Sequence, residues 1–361
     1  MSGLTIQQNP LPSDNLLPVG RLSSCFNNTT ATYKYYWMLS LLYQVEQGKS
    51  LVSKRAMFAT MVAHAWYTVN YFHLSFGKFD RLQHAIKRIQ ELEPLTMDMS
   101  PEQIVDCLCA SQNRETILLL KHFNTNVPHW FLSPWFPSCT TKEIYDGSNV
   151  MRHLSPYALS SEFISIQPLW QNYFQRHMKL LRDFCFWNLT LFLQQRNPNV
   201  PDIPNKLLRP EVRQPLTAQR RYWKKVFEAE GSLKCIYSNK ELSADAYDVE
   251  HFVPYGFVAH HQLWNLIPAD PSVNSSKGDR LPQLDTYFNR FYQMQTKALD
   301  VIGRLDPGNK LLEDYVNVFP GFSLNNRIKK PQFLAVIQPL ITIASNNGFE
   351  FMHKSYSKTK T

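Results

Sequence analysis

The sequence predicts an α+β protein, mainly helical, with a small strand-bearing module embedded at about residues 230–285. Apolar residues recur at helical spacing through most of the 361-residue chain. From about Leu233 to Pro282 that period lapses, and a Cys-containing turn, an Asp-Ala-Tyr-Asp approach and the run "DVEHFVPYGF" follow one another. Hydrophobic residues make up 44% and aromatics 13%, ample for a core. Charged residues are 19%, below the usual share of about 25%, and disorder does not fit.

The first thirty residues, rich in Asn, Ser and Pro, read as an extended arm. "TYKYYWMLSLLYQVEQG" places Tyr35, Met38, Leu39 and Leu42 on one helical face, with Gly48 as a stop. Residues 56–77 carry no formal charge, but His64, Asn70 and His73 interrupt them, so a buried helix is expected rather than a membrane span. "KFDRLQHAIKRIQEL" sets Leu82, Ile86 and Ile89 at helical spacing, and Ser100-Pro101-Glu102 opens another helix with a cap, a first-turn proline and an acid. Residues 126–160 lose periodicity and read as a packed loop. One long helix is expected from Pro168 to Gln195, with Trp170, Tyr173, Phe174, His177, Leu181, Phe184 and Leu191 inward. A proline-rich strap and a short basic helix, "TAQRRYWKKVFEAEG", lead into the module, and helices resume after it. The expected organisation is 1–160 helical, 161–229 long helix, strap and basic helix, 230–285 the module, and 286–361 closing helices.

The net charge of +9 favours an anionic partner such as nucleic acid. Six cysteines, with no CxxC, make neither a disulfide framework nor a thioredoxin-type site. The N-terminus has no charged start or apolar core of a signal peptide, and a reducing cytoplasm is the expected location.

The chemistry concentrates in Asp248-Val249-Glu250-His251, then Asn265, then Asn274-Ser275-Ser276-Lys277. On a strand Asp248 and Glu250 share a face, and His251 lies beside them if the strand ends there, as Pro254 suggests. Asn274 falls near the start of a helix. A carboxylate, an amide oxygen and waters suit a hard cation such as Mg²⁺, with Mn²⁺ or another divalent ion as substitute. A neighbouring histidine can take a proton from water for attack on phosphorus.

These residues, in this order over about fifty positions, resemble the HNH endonuclease motif, a β-hairpin and helix clasping a metal (ββα-metal). The resemblance implies that His251 is the general base and that Glu250 and Asn274 are metal ligands, with Asp248 supplying or assisting. It implies that Asn265 holds the hairpin loop and that Lys277 and Arg280 lie near the phosphate backbone. Two departures stand out. Glu250 occupies a position that is commonly Asp, and one methylene shifts a carboxylate by about 1 Å, enough to matter for geometry. The two Cys pairs that brace many HNH proteins are absent: Cys235 faces Ser238 in "CIYS", and one thiol makes no tetrahedral zinc site, so no structural zinc is expected. Packing by Trp264, Phe252 and Phe257 is expected to replace it.

Other features read more plainly. His260 and His261 read as a solvated or packed loop pair, His64, His73 and His84 as structural, and Cys107 and Cys109 as core. Trp170, Tyr173 and Phe174 read as a core stripe rather than a base-stacking platform. Arg209, Arg213, Arg220, Arg221, Lys224 and Lys225 read as a phosphate-binding track, with a solvated face as the alternative. The expected function is metal-dependent hydrolysis of DNA phosphodiester bonds, in bacterial defence against foreign DNA. The alternatives are a degenerate module that binds nucleic acid without cutting, and a toxin acting on RNA or DNA that a sensor or regulatory protein releases. No membrane association is expected.

Overall fold

A computed structural model describes residues 11–150, 154–208 and 215–353. The chain divides into two compact units: Met1–Pro198 with Ile203–Arg209, and Asn199–Asp202 with Pro210–Thr361.

In the first unit, α1 (Tyr33–Glu46) and α2 (Lys54–Asn70) are the central pair. Both are buried on nearly every side, so the single face expected for α1 is only part of its core surface. Ser53 starts α2 by accepting the Ala56 amide on its hydroxyl. No helix of the described residues is long and apolar enough to cross a membrane. The helix α3 (Arg81–Leu92) buries Leu82, Ile86 and Ile89 as its spacing predicts. At α4 (Pro101–Ala110) Ser100 and Gln103 form a reciprocal capping box. Ile104 and Leu108 are its buried residues, whereas Cys107 and Cys109, expected as core, are half-buried.

Three expectations are corrected here, and one sheet is added. Residues 11–30 do not form an extended arm: a short helix, Val19–Ser23, and a 3-10 turn, Ser24–Phe26, bury Val19, Leu22, Cys25 and Phe26; residues 1–10 lie outside the described residues. The stretch 126–160 is not one loop, for it holds a helical turn, Val127–Trp130, and α5 (Thr141–Val150). Thr140 and Glu143 cap α5 reciprocally, and Gly147, Ser148 and Asn149 hide it from propensity. A three-stranded antiparallel sheet, ordered β1-β3-β2, was not expected; it joins β1 (Leu51–Ser53), β2 (Tyr157–Leu159) and β3 (Phe163–Ile166). The helix over 168–195 breaks at His177 into α6 (Pro168–Arg176) and α7 (Met178–Arg196). His177 leaves helical geometry with its ring against Tyr173, the inner stripe becomes Leu181, Cys185, Leu189 and Phe192, and Leu191 faces outward.

In the second unit α8 (Thr217–Glu230) and α9 (Leu284–Leu305) pack together and against the module strands, and α10 (Lys330–Asn346) packs on α9. Between α8 and α9 lies the module, for which the sequence predicts a β-hairpin and a helix. Its elements are a short hairpin of β4 (Leu233–Lys234) and β5 (Glu241–Leu242), a wider hairpin of β6 (Asp248–His251) and β7 (Leu266–Ala269), and the helix α11 (Pro271–Lys277). Arg209 and Arg213 lie outside the described residues.

Candidate active site

β6 and β7 are antiparallel, with Asp248 opposite Ala269, Glu250 opposite Ile267 and His251 opposite Leu266. Asp270 then caps α11 by accepting the Ser272 amide, and the helix lies along β6. Strand alternation turns Asp248 and Glu250 the same way, and the helix meets them with residues one turn apart, Asn274 on Asp248 and Lys277 on Glu250. The hairpin and helix thus form a ββα unit.

Asn265 is fully buried and closes the loop between the strands. Its Oδ1 accepts the Val253 N–H at 2.8 Å and its Nδ2 donates to the Val253 carbonyl at 2.8 Å. The Phe252 amide donates to the Asn265 carbonyl, so the backbone just beyond His251 is tied on three counts. The intervening chain makes a helical turn, Tyr255–Val258, and reverses at Ala259, whose φ of 58° lies in the left-handed region. That reversal brings His261 onto the histidine expected as base: His251 Nε2 and His261 Nδ1 are 3.1 Å apart. Burial above all, then the neighbouring His261 and Lys277, pushes the His251 imidazole down to about 3, so it is neutral at pH 7 and keeps a lone pair.

Asp248 is half-buried; its Oδ2 accepts from Asn274 Nδ2 at 3.1 Å and its Oδ1 lies 3.6 Å from an Arg220 guanidinium nitrogen. This is a solvent-reachable carboxylate beside an amide, a pair of hard oxygen donors. Among the described residues no group of three or more His, Cys, Asp and Glu is arranged to hold a metal. Mg²⁺ nonetheless needs only one or two protein oxygens when water and phosphate complete its shell, so Asp248 and Asn274 fit such an ion.

Glu250 sits differently from its expected place as a ligand. Its Oε1 is 2.6 Å from the Lys277 ammonium and its Oε2 accepts from the Tyr237 hydroxyl at 2.9 Å, all out of solvent. Burial raises the Glu250 carboxyl, and Lys277 opposes the rise. Lys277, expected at the phosphate backbone, is likewise turned inward and also donates to the His251 carbonyl at 2.9 Å. The ammonium is thus held between two protein acceptors rather than presented on the surface.

The turn that carries Cys235 is braced by contacts of other kinds. Cys235 Sγ accepts the Asp270 amide, Arg290 of α9 donates to the Ile236 carbonyl at 3.0 Å, and the Tyr237 and Tyr287 rings meet edge to face. Phe252 stacks on Phe291 with centroids 3.9 Å apart, Phe257 meets Phe349, and Trp264 is buried with its indole N–H on Gln262.

Of the expected nucleic-acid contacts, Arg220, Arg221, Lys224, Lys225 and Arg280 are exposed. Arg220 reaches Asp248 and the Tyr247 carbonyl, Lys225 pairs with Asp306 at 2.7 Å, and Arg280 donates to the Ser276 carbonyl. The sequence offers no pointer to the His251–His261 contact beyond the position of His261 inside the loop bounded by His251 and Asn265.

The paired strands, the crossing helix and the His-Asn-Asn set form a ββα unit of the kind the HNH resemblance implies. Residues 235–283 match the family model described as HNH endonuclease, so this segment is similar to an HNH endonuclease module. The match accords with a nucleic-acid substrate and with the divalent metal that HNH nucleases generally use. No curated protein and no solved structure matches the chain.

Proposed function

We propose that the module hydrolyses DNA phosphodiester bonds with a divalent cation, Mg²⁺ or Mn²⁺, and that the setting is restriction of foreign DNA. The observation that carries the hydrolytic reading is the arrangement along β6. Asp248 stands at one end against Asn274, and His251 stands at the other with a neutral ring. Asp248 and Asn274 would hold the ion, which supplies positive charge for the phosphate and the departing oxygen. His251 takes the proton of the attacking water. An incoming phosphate anion opposes the nearby Lys277 charge and raises the basicity of that ring. Asn265 keeps the ring in place by fixing the backbone that follows it. Glu250 and Lys277 tie β6 to α11, so Asn274 and Asp248 stay in register. Arg220 is placed beside Asp248 to meet a phosphate, and the exposed Arg221 and Lys224 extend a basic track along α8.

The occupation of Glu250 by Lys277 favours one other reading, a module that binds nucleic acid without cutting it. Incubating the full chain with supercoiled, linear and single-stranded DNA and with RNA, in Mg²⁺, Mn²⁺ or chelator, separates the two. Metal-dependent cutting of DNA is the expected result. Binding with no cutting in either metal would establish the second reading.

A further inference from the structure

We infer that His261 is a positioning residue for the general base: its Nδ1 accepts the Nε2–H of His251 and leaves His251 Nδ1 as the proton acceptor. The inference rests on the nuclease reading of the same site and adds a residue to it.

The two ring nitrogens lie 3.1 Å apart, so one donates and the other accepts. If His261 donated, His251 would receive that proton's hydrogen bond on Nε2 and carry its own proton on Nδ1. No lone pair would then remain for water. If His251 donates from Nε2, its Nδ1 lone pair is open, and only this tautomer acts as a base.

The accepting ring is itself held. Tyr255 stacks on His261 with centroids 4.9 Å apart and planes 17° apart, and Tyr255 meets the His251 ring edge to face at 5.5 Å. Gln219 of α8 donates to the His261 carbonyl at 3.1 Å. The left-handed Ala259 turns the chain back, and the Leu263 amide is fixed by Asp314 at 2.8 Å. A loop read from sequence as a packed or solvated histidine pair thus presents one acceptor to one catalytic ring.

The test compares His261→Ala, His261→Asn and His261→Gln in the full chain, on DNA under saturating Mg²⁺. His261→Ala is expected to lower kcat by about 10- to 100-fold, the range typical of groups that orient a working side chain, with KM and DNA Kd unchanged. His261→Asn carries an acceptor oxygen near the Nδ1 position and is expected to recover most of the rate; His261→Gln, whose amide lies near Nε2, is not. If the Ala variant does not fold, the Asn and Gln pair carries the comparison alone. Two-bond ¹H–¹⁵N correlations of the wild type at pH 7.5 are expected to show His251 protonated on Nε2. An unchanged kcat in His261→Ala, equal rates for Asn and Gln, or His251 protonated on Nδ1 would each overturn the inference while leaving the nuclease reading intact. A wild type that cuts nothing in Mg²⁺ or Mn²⁺ overturns both.

Discussion

The Lys277 ammonium lies 2.6 Å from Glu250 Oε1, with both side chains closed off from solvent. The pair joins the last turn of α11 to the middle of β6, and the Tyr237 hydroxyl completes it. A buried ion pair adds little over a well-packed apolar pair, but removing one member strands a charge, typically at about 3–5 kcal/mol.

Glu250→Gln and Lys277→Met, each alone, are therefore expected to destabilise the second unit by about that amount. The double replacement Glu250→Leu with Lys277→Met is expected to recover most of the loss. Hydrogen exchange of the β6 and β7 amides measures both. Additive losses in the double variant would mean that the two side chains are stabilised independently.

Asp248→Asn and Asn274→Ala are expected to raise the Mg²⁺ concentration needed for half-maximal cutting, since these two half-buried side chains are the ones proposed to hold the ion. Glu250→Gln is expected to act through stability, with its metal requirement unchanged at a temperature where it is folded. A titration of initial rate against Mg²⁺ decides. A shifted requirement in Glu250→Gln alone would return the ligand role to Glu250.

His64 gives the first unit a pH dependence. Its ring packs edge to face on Tyr43, and burial, helped by the Arg182 charge, lowers it from 6.5 to about 4. Above pH 6.5 the ring is neutral whether the chain is folded or not. As pH falls from 6.5 to 4, the unfolded chain takes up a proton that the folded chain refuses, so stability declines through that window. His64→Phe is expected to flatten this part of the Tm-against-pH curve relative to wild type. Parallel curves would show that His64 stays solvated in the folded chain.

Much of this was legible before any coordinates. Helices with caps and strict spacing, such as Arg81–Leu92 and Pro101–Ala110, lie close to where the pattern puts them. The residues of the HNH motif could be named in order because hairpin, loop and helix fall at short separations in the chain. What stayed hidden depends on distant partners. Lys277 looks like a surface cation until Glu250 and Tyr237 are seen to enclose it. The strands Leu51–Ser53 and Phe163–Ile166 are too short to show a period and exist by pairing across more than a hundred residues. The break at His177 carries no proline or glycine to mark it.

The most direct measurement is cleavage of supercoiled plasmid DNA by the wild type and by His251→Ala, with DNA binding followed in parallel. The wild type is expected to nick or linearise the plasmid in Mg²⁺ or Mn²⁺ and not in chelator. The variant is expected to bind DNA as tightly and to cut about 10²–10⁴-fold more slowly, the usual contribution of a general base. Equal cutting by both proteins would contradict the account, because it would remove His251 from the chemistry.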